Sequence, residues 1–202
     1  MRPGGTKKNG TGRLCGSGSG ASTPRIEGYG ILGMEKEAIL FSNEAPPVYG
    51  PLIYERQFPS EPSLVPAVVF RLVDFLSHVG FISPDHRTPV MLCVDEGLKN
   101  AMLHGNEGDA SRSVTIRIFR ADDCFWILIS DEGKGFDREK VPNPFDEEGL
   151  WREGGRGIHL MQYYAKAVEY WDGGSTLALA FPLDSQAGKQ STAEETQGEA
   201  SH

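Results

Sequence analysis

Glu96 and Asn100 stand four residues apart in the segment VDEGLKNAMLHGN, Val94 to Asn106. On a helix that spacing puts both on one face, beside an apolar stripe and not within it. A carboxylate can polarise a hydroxyl or a water. An amide oxygen is a hard ligand suited to Mg²⁺, an ion that usually keeps several waters and takes few protein groups plus phosphate oxygens. Base and metal ligand together point to phosphoryl transfer. Taken alone, the segment also fits a solvated helix surface carrying a Glu96 to Lys99 pair, the commoner use of such a face.

Two further segments bear on this choice. In SDEGKGFD, Ser130 to Asp137, an acidic residue ends an apolar run and Gly133 and Gly135 follow at once. Glycines there let the backbone turn sharply and approach a ligand closely, while Asp131 can accept a hydrogen bond from an exocyclic amine such as adenine N6. A plain strand-to-loop turn has the same composition. In GGRGIHLM, Gly154 to Met161, glycines precede a helix whose apolar residues include Ile158, Leu160 and Met161. Free N–H groups at a helix start, with the helix dipole behind them, form an anion site, and glycine lets a phosphate chain come close. Arg156 either adds charge there or is solvated. The Walker pattern GxxxxGK[ST] is missing, and GGRGIH does not directly follow a buried strand, so neither a P-loop nor a Rossmann dinucleotide site fits.

These segments need elements to hold them. Apolar residues at Leu64, Val68, Leu72, Phe75, Leu76 and Val79 have helical spacing over Leu64 to His78, with Pro66 in the first turn and Gly80 as C-cap. A second helix is expected from about Pro89 to Leu103, its stripe being Val90, Cys93, Val94, Gly97 and Ala101, with His104 to Gly108 stopping it. Ser113 to Arg120 alternates and Cys124 to Ser130 is apolar, which reads as a hairpin. Asp131 to Gly155 is long and polar for a connection and is expected to be a functional lid. A third helix occupies about Ile158 to Ala165, and strands at Val168 to Trp171 and Thr176 to Pro182 complete the sheet. Leu52 to Phe58 alternates enough for an edge strand.

At 202 residues the chain has room for one ordinary domain and some flank. Met1 to Gly33 is rich in Gly, Ser and Thr and basic, and Ser, Gln, Glu, Gly and Ala dominate beyond Leu183, so both ends are expected to be disordered. The domain reading is therefore an N-terminal extension or linker over 1–51, a folded domain over 52–183 and a tail over 184–202. Met34 opens a more ordinary stretch and is a possible start of translation. A net charge of −8 disfavours an unspecific grip on nucleic acid. Three cysteines without CxxC spacing argue against a zinc site or a disulfide framework, and no apolar run reaches membrane-spanning length. A cytoplasmic location, without membrane contact, is expected.

In this order the three segments resemble the N, G1 and G2 boxes of the Bergerat-type superfamily that includes gyrase, heat-shock chaperone, histidine-kinase and mismatch-repair ATPases. Within it, the short chain and compact lid are most similar to the bacterial anti-sigma-factor serine kinases. The resemblance covers about Phe58 to Leu183 and implies an α+β fold: a two-layer sandwich with helices on one face of a mixed, largely antiparallel sheet. It implies ATP between the second helix and the lid. By matched position, Glu96 would be the catalytic base, Asn100 the Mg²⁺ ligand and Asp131 the adenine anchor. Gly133 and Gly135 would shape the adenine pocket, Gly155 and Gly157 would meet the phosphates beside Arg156 and Ile158, and Thr176 would sit near the adenine. Lys99 and His104 fall in the N box and would approach phosphate.

The activity implied is transfer of the γ-phosphoryl group of ATP to a serine of an antagonist protein, by a domain that can instead hold a sigma factor. Lys166 departs from the acidic residue many relatives carry between the last helix and the next strand, which leaves the partner open. A nucleotide-gated module that sequesters its partner without catalysis is the alternative. The catalytic end of a histidine kinase fits less well, because no long helical period precedes Leu52. The Leu52 to Phe58 edge would allow a homodimer.

Overall fold

The hairpin forms as Ser113–Arg120 against Cys124–Ser130, antiparallel, with Thr115 opposite Ser130 and Arg120 opposite Phe125. Our computed structural model describes residues 26–29, 35–135 and 155–184, with side chains from residue 39 onward and, in the last segment, from residue 157. In chain order the elements are β1 (Ile26–Tyr29), β2 (Glu35–Phe41), β3 (Leu52–Pro59), α1 (Val65–His78), α2 (Pro84–Lys99), β4 (Ser113–Arg120), β5 (Cys124–Ser130), α3 (Gly155–Tyr164), β6 (Ala167–Trp171) and β7 (Thr176–Pro182). Among the described residues the seven strands make one sheet in the order β1, β2, β6, β7, β5, β4, β3. Every contact is antiparallel except β2 with β6. The expected lid, the basic N-terminal stretch before residue 26 and the tail after Asp184 lie outside the described residues.

Helical spacing places α1 as expected. Its buried face is Val65, Val68, Val69, Leu72, Val73 and Leu76. It ends in a Schellman arrangement, in which Gly80 N–H donates to Ser77 O at 3.1 Å and Phe81 N–H to Leu76 O at 2.9 Å, with Gly80 at φ +72°. Leu72, Leu76, Leu98 of α2 and Met161 of α3 share one buried cluster with Ile116, Ile127 and Leu179 of the sheet. Each such fully buried aliphatic side chain contributes roughly 1.5–3 kcal/mol. The fold is thus α+β, with the helices on one face of a mixed, mainly antiparallel sheet.

The other face is covered too. Tyr49, Trp126, Leu128, Trp171, Ala178 and Ala180 form a second buried cluster, which is why β5 and β7 are buried on both sides. Tyr49 lies between β2 and β3 and stacks on Trp126 at 4.1 Å. Strand β2 and Tyr49 fall in the stretch 1–51 that composition marks as extension or linker. In the structure Ile39 is 2% exposed and Leu40 pairs with Glu169 of β6.

Two further differences concern α2 and the cysteines. α2 starts at Pro84, five residues before the expected start at Pro89, with Ser83 in the extended N-cap conformation and Pro84 in the first turn. Pro89 then sits inside the helix and forgoes one backbone hydrogen bond. Cys93 is buried and outside any disulfide, whereas Cys124 at the head of β5 is disulfide-bonded, which the odd and unpatterned cysteine count gave no reason to expect.

Candidate functional site

Glu96 and Asn100 lie on the last turn of α2 and the residue after it, four apart on one side of the helix, both half-buried. Among the described residues neither side chain has a hydrogen-bond or ion-pair partner. The helix stays regular up to Lys99 and then widens into a π turn over Asn100–Gly105. Asn106 N–H donates to Ala101 O at 2.8 Å, five residues back, and Gly108 N–H to Met102 O at 2.8 Å. Such widened turns are frequent at functional sites, because they re-aim the residues that follow.

The wider turn carries Gly105 onto the end of β5. A Cβ on Gly105 would stand 2.3 Å from Asp131 Cγ, and one on Gly133 would stand 2.1 Å from Gly105 O. The end of the helical segment, the strand-end carboxylate and the glycine turn therefore touch, and only glycine allows it. Gly157, in the first turn of α3, closes the other side: a Cβ there would meet Glu96 Oε2 at 2.6 Å. The three sequence segments thus converge, with Glu96 against Gly157 and Gly105 against Asp131 and Gly133. Gly157 is buried, Ile158 packs against the helix-side core, and Gly155 and Arg156 occupy the first turn of α3. The chemistry of the Arg156 side chain and of Gly154 lies outside the described residues.

Electrostatics single out Asp131. Burial raises its carboxyl above the usual aspartate value, opposed by the Gly133 N–H that donates to Oδ1 at 2.8 Å and by the positive charge of Arg112. An acceptor of this kind, short of water, is suited to an amine donor. Lys99 is exposed and its Nζ lies 2.5 Å from Asp95 Oδ2; that hydrogen bond raises its pKa. The helix-surface pair is therefore Lys99 with Asp95, in place of Lys99 with Glu96. His104 is exposed on the π turn. Neither Lys99 nor His104 is drawn into the contacts that join the three segments. Gly135, at φ +71°, packs on Gly173 O.

Thr176 is placed otherwise than expected. On β7 the residues Leu177, Leu179 and Phe181 belong to the helix-side core, whereas Ala178 and Ala180 belong to the opposite cluster. Alternation therefore turns Thr176 to the side away from the helices. There its Oγ1 bonds to Ser130 Oγ at 3.0 Å and to Asp172 Oδ2 at 3.1 Å, with 3% of the residue exposed. Ser175, half-exposed, stands before the strand in helical backbone conformation; its Oγ donates to Asp172 O at 3.1 Å and its carbonyl accepts from Asp131 N–H at 2.9 Å. Ser175 is a residue that sequence reading missed; the contact is made by its backbone carbonyl, for which residue type carries no signal.

Asn106 was missed as well, since it reads as a helix stop. It is fully buried, donates through Nδ2 to Ser113 O at 3.0 Å and accepts from Glu132 N–H at 2.9 Å. It thereby ties the π turn to β4 and to the turn after Asp131. A metal would find no ready cage: among the described residues no group of three or more His, Cys, Asp or Glu could hold one. The half-buried amide of Asn100 suits a Mg²⁺ that draws its other ligands from phosphate and water.

A family model described as the histidine kinase-like ATPase domain matches residues 58–181. The Serine-protein kinase RsbW of Bacillus licheniformis is 27% identical over 132 residues, which is 62% of this chain and 82% of that protein. The Serine-protein kinase RsbW of Oceanobacillus iheyensis is 27% identical over 114 residues, 54% of this chain and 72% of that protein.

Proposed function

Because the chain belongs to the histidine kinase-like ATPase domain family, we propose that it binds ATP with Mg²⁺ and transfers the γ-phosphoryl group to a serine of an antagonist protein, as part of an anti-sigma-factor switch. One observation carries the reading: Glu96, without a hydrogen-bond or ion-pair partner among the described residues, is pressed against Gly157 at a helix start, with Asn100 on the same side. The serine Oγ–P bond forms, the bond from the γ-phosphorus to the β–γ bridging oxygen breaks, and the serine proton passes to the Glu96 carboxylate. Asp131 accepts from adenine N6, Ser175 and Gly135 border the base, and Gly155, Arg156 and Gly157 take the phosphates. When bound, Mg²⁺ at Asn100 would neutralise phosphate charge. Reliance on ATP supports a cytoplasmic location, and no described helix is long and apolar enough to cross a membrane.

The partners are a sigma factor and its antagonist, and the names of the two relatives support the kinase half of this reading. β3 ends the sheet with an edge that exposes Leu52 and Ile53, which supports self-association into a homodimer. Purified protein, Mg²⁺, ATP and the cognate antagonist should yield phosphoserine. Glu96→Gln should abolish it while nucleotide binding persists. If Glu96→Gln retains full cellular function, the protein sequesters its partner without catalysis. If calorimetry shows no ATP binding to wild type, or equal binding to Asn100→Ala, the site assignment fails.

A further inference from the structure

Residues 40–50 precede the family match, which begins at residue 58, yet they grip a turn at the back of the site. β2 runs parallel to β6, and Phe41 stacks on Tyr170 at 5.1 Å. Ser42 N–H donates to Tyr170 O at 2.9 Å; Asp172 and Gly173 N–H then donate back, to Glu44 O at 2.9 Å and to Ser42 O at 3.1 Å. Beyond this, the Tyr49 hydroxyl donates to Glu169 Oε2, which also accepts from Trp171 Nε1 at 2.9 Å, while the Tyr49 ring lies on Trp126.

The turn so held is unusual. Asp172, Gly173 and Gly174 all have left-handed φ, at 52°, 66° and 99°. An Asp in that region costs of order 1 kcal/mol and persists where its surroundings fix it. Two of the bonds that fix it come from Ser42 and Glu44. On its far side the turn reaches the site by two routes. A Cβ on Gly135 would stand 2.1 Å from Gly173 O, so the two backbones are in contact. Ser175, the next residue after the turn, accepts from Asp131 N–H, and Asp172 Oδ2 accepts from Thr176 Oγ1.

We infer that the arm Ser42–Tyr49 positions the base end of the nucleotide site: it fixes the Asp172–Gly174 turn, and the turn fixes Asp131, Gly135 and Ser175. The inference rests on the nucleotide reading above. Through it, ligand binding and arm docking are linked, so each tightens the other by the same factor. The phosphate end, built by α3 and Asn100, stands apart from this route.

The test uses the full chain, with ATP and ADP titrated by calorimetry. Tyr49→Ala removes both the stack on Trp126 and the bond to Glu169; Tyr49→Phe keeps the stack. Tyr49→Ala should weaken ATP and ADP by one common factor of about 5–20, and Tyr49→Phe should restore most of it. In wild type, ADP should slow hydrogen exchange at the Asp172 and Gly173 amides. Unchanged affinity in Tyr49→Ala, or a loss confined to ATP, would overturn the coupling and leave the nucleotide reading intact. Failure of wild type to bind either nucleotide would overturn that reading first. If Tyr49→Ala does not fold, exchange at Asp172 and Gly173 that ignores ADP overturns the coupling by itself.

Discussion

Substituting Gly157 with alanine should separate stability from chemistry. The added Cβ would lie 2.6 Å from Glu96 Oε2, 3.4 Å from Cδ and 3.6 Å from Cγ, and these are its three nearest neighbours. Ordinary contact starts at 3.4 Å, so Oε2 must withdraw by about 0.8 Å. The obstructing atom is the far end of a flexible side chain, and rotation of the carboxylate relieves the clash without moving backbone. Gly157 lies in a helix and has no left-handed φ, so alanine there should add up to about 1 kcal/mol. The expected melting temperature is unchanged or raised by up to about 4 °C. A misplacement approaching 1 Å in a catalytic group can cost about 100-fold, and γ-phosphoryl transfer should fall by that order. The assay is differential scanning calorimetry beside transfer measured at saturating ATP. A folded Gly157→Ala protein with wild-type transfer would refute the placement of Glu96 as base. A fall of several degrees in melting temperature would refute the claim that only a side chain yields.

Gly133→Ala should behave oppositely, because its Cβ would meet the Gly105 carbonyl at 2.1 Å and backbone has to move; a loss of about 1–3 kcal/mol is expected in urea unfolding, and a wild-type midpoint would contradict the contact. Asn106→Ala empties a fully buried position and removes two part-buried hydrogen bonds, to the Ser113 carbonyl and from the Glu132 N–H, so a loss of about 1–3 kcal/mol is expected in the same assay, and less than 0.5 kcal/mol (roughly the noise of a surface change) would argue against these bonds as a tie. Asp131 has a folded pKa raised above the unfolded value, so its contribution is most favourable below that unfolded value and is lost as pH rises through the folded one. Asp131→Asn should therefore raise the melting temperature of the nucleotide-free protein at neutral pH, by a margin that vanishes in acid, while abolishing ATP binding. A margin independent of pH between 3 and 7, a span of roughly that predicted by linkage, would remove burial of the carboxylate as its cause.

Periodicity made much of the fold legible. α1, the β4–β5 hairpin and β7 follow from spacing that local sequence carries. What spacing could not decide was which of two prolines opens α2, since Pro84 and Pro89 each satisfy first-turn chemistry. Tertiary contact decides it: Arg87, ahead of Pro89, donates to Ser77 Oγ at 2.6 Å and lies 3.6 Å from Asp74 on α1. β2 was hidden for a similar reason. Its short run ending in Ile39, Leu40 and Phe41 follows a Gly-rich, polar stretch, and it becomes a strand because β6 offers an edge more than a hundred residues away.

The site repeats this contrast at the scale of one side chain. Spacing on a helix is internal to the helix, so Glu96 and Asn100 could be paired from sequence alone. A residue at the mouth of a strand is different, because its side depends on a phase set by packing further in. Thr176 has the more attractive chemistry beside Asp131, yet Leu177 under the helices forces it to the far side. Ser175, the residue before the strand, instead holds the Asp131 amide through its backbone carbonyl. Residue type alone therefore leaves the side of a strand-end hydroxyl undecided, and counting back from the nearest core leucine supplies it.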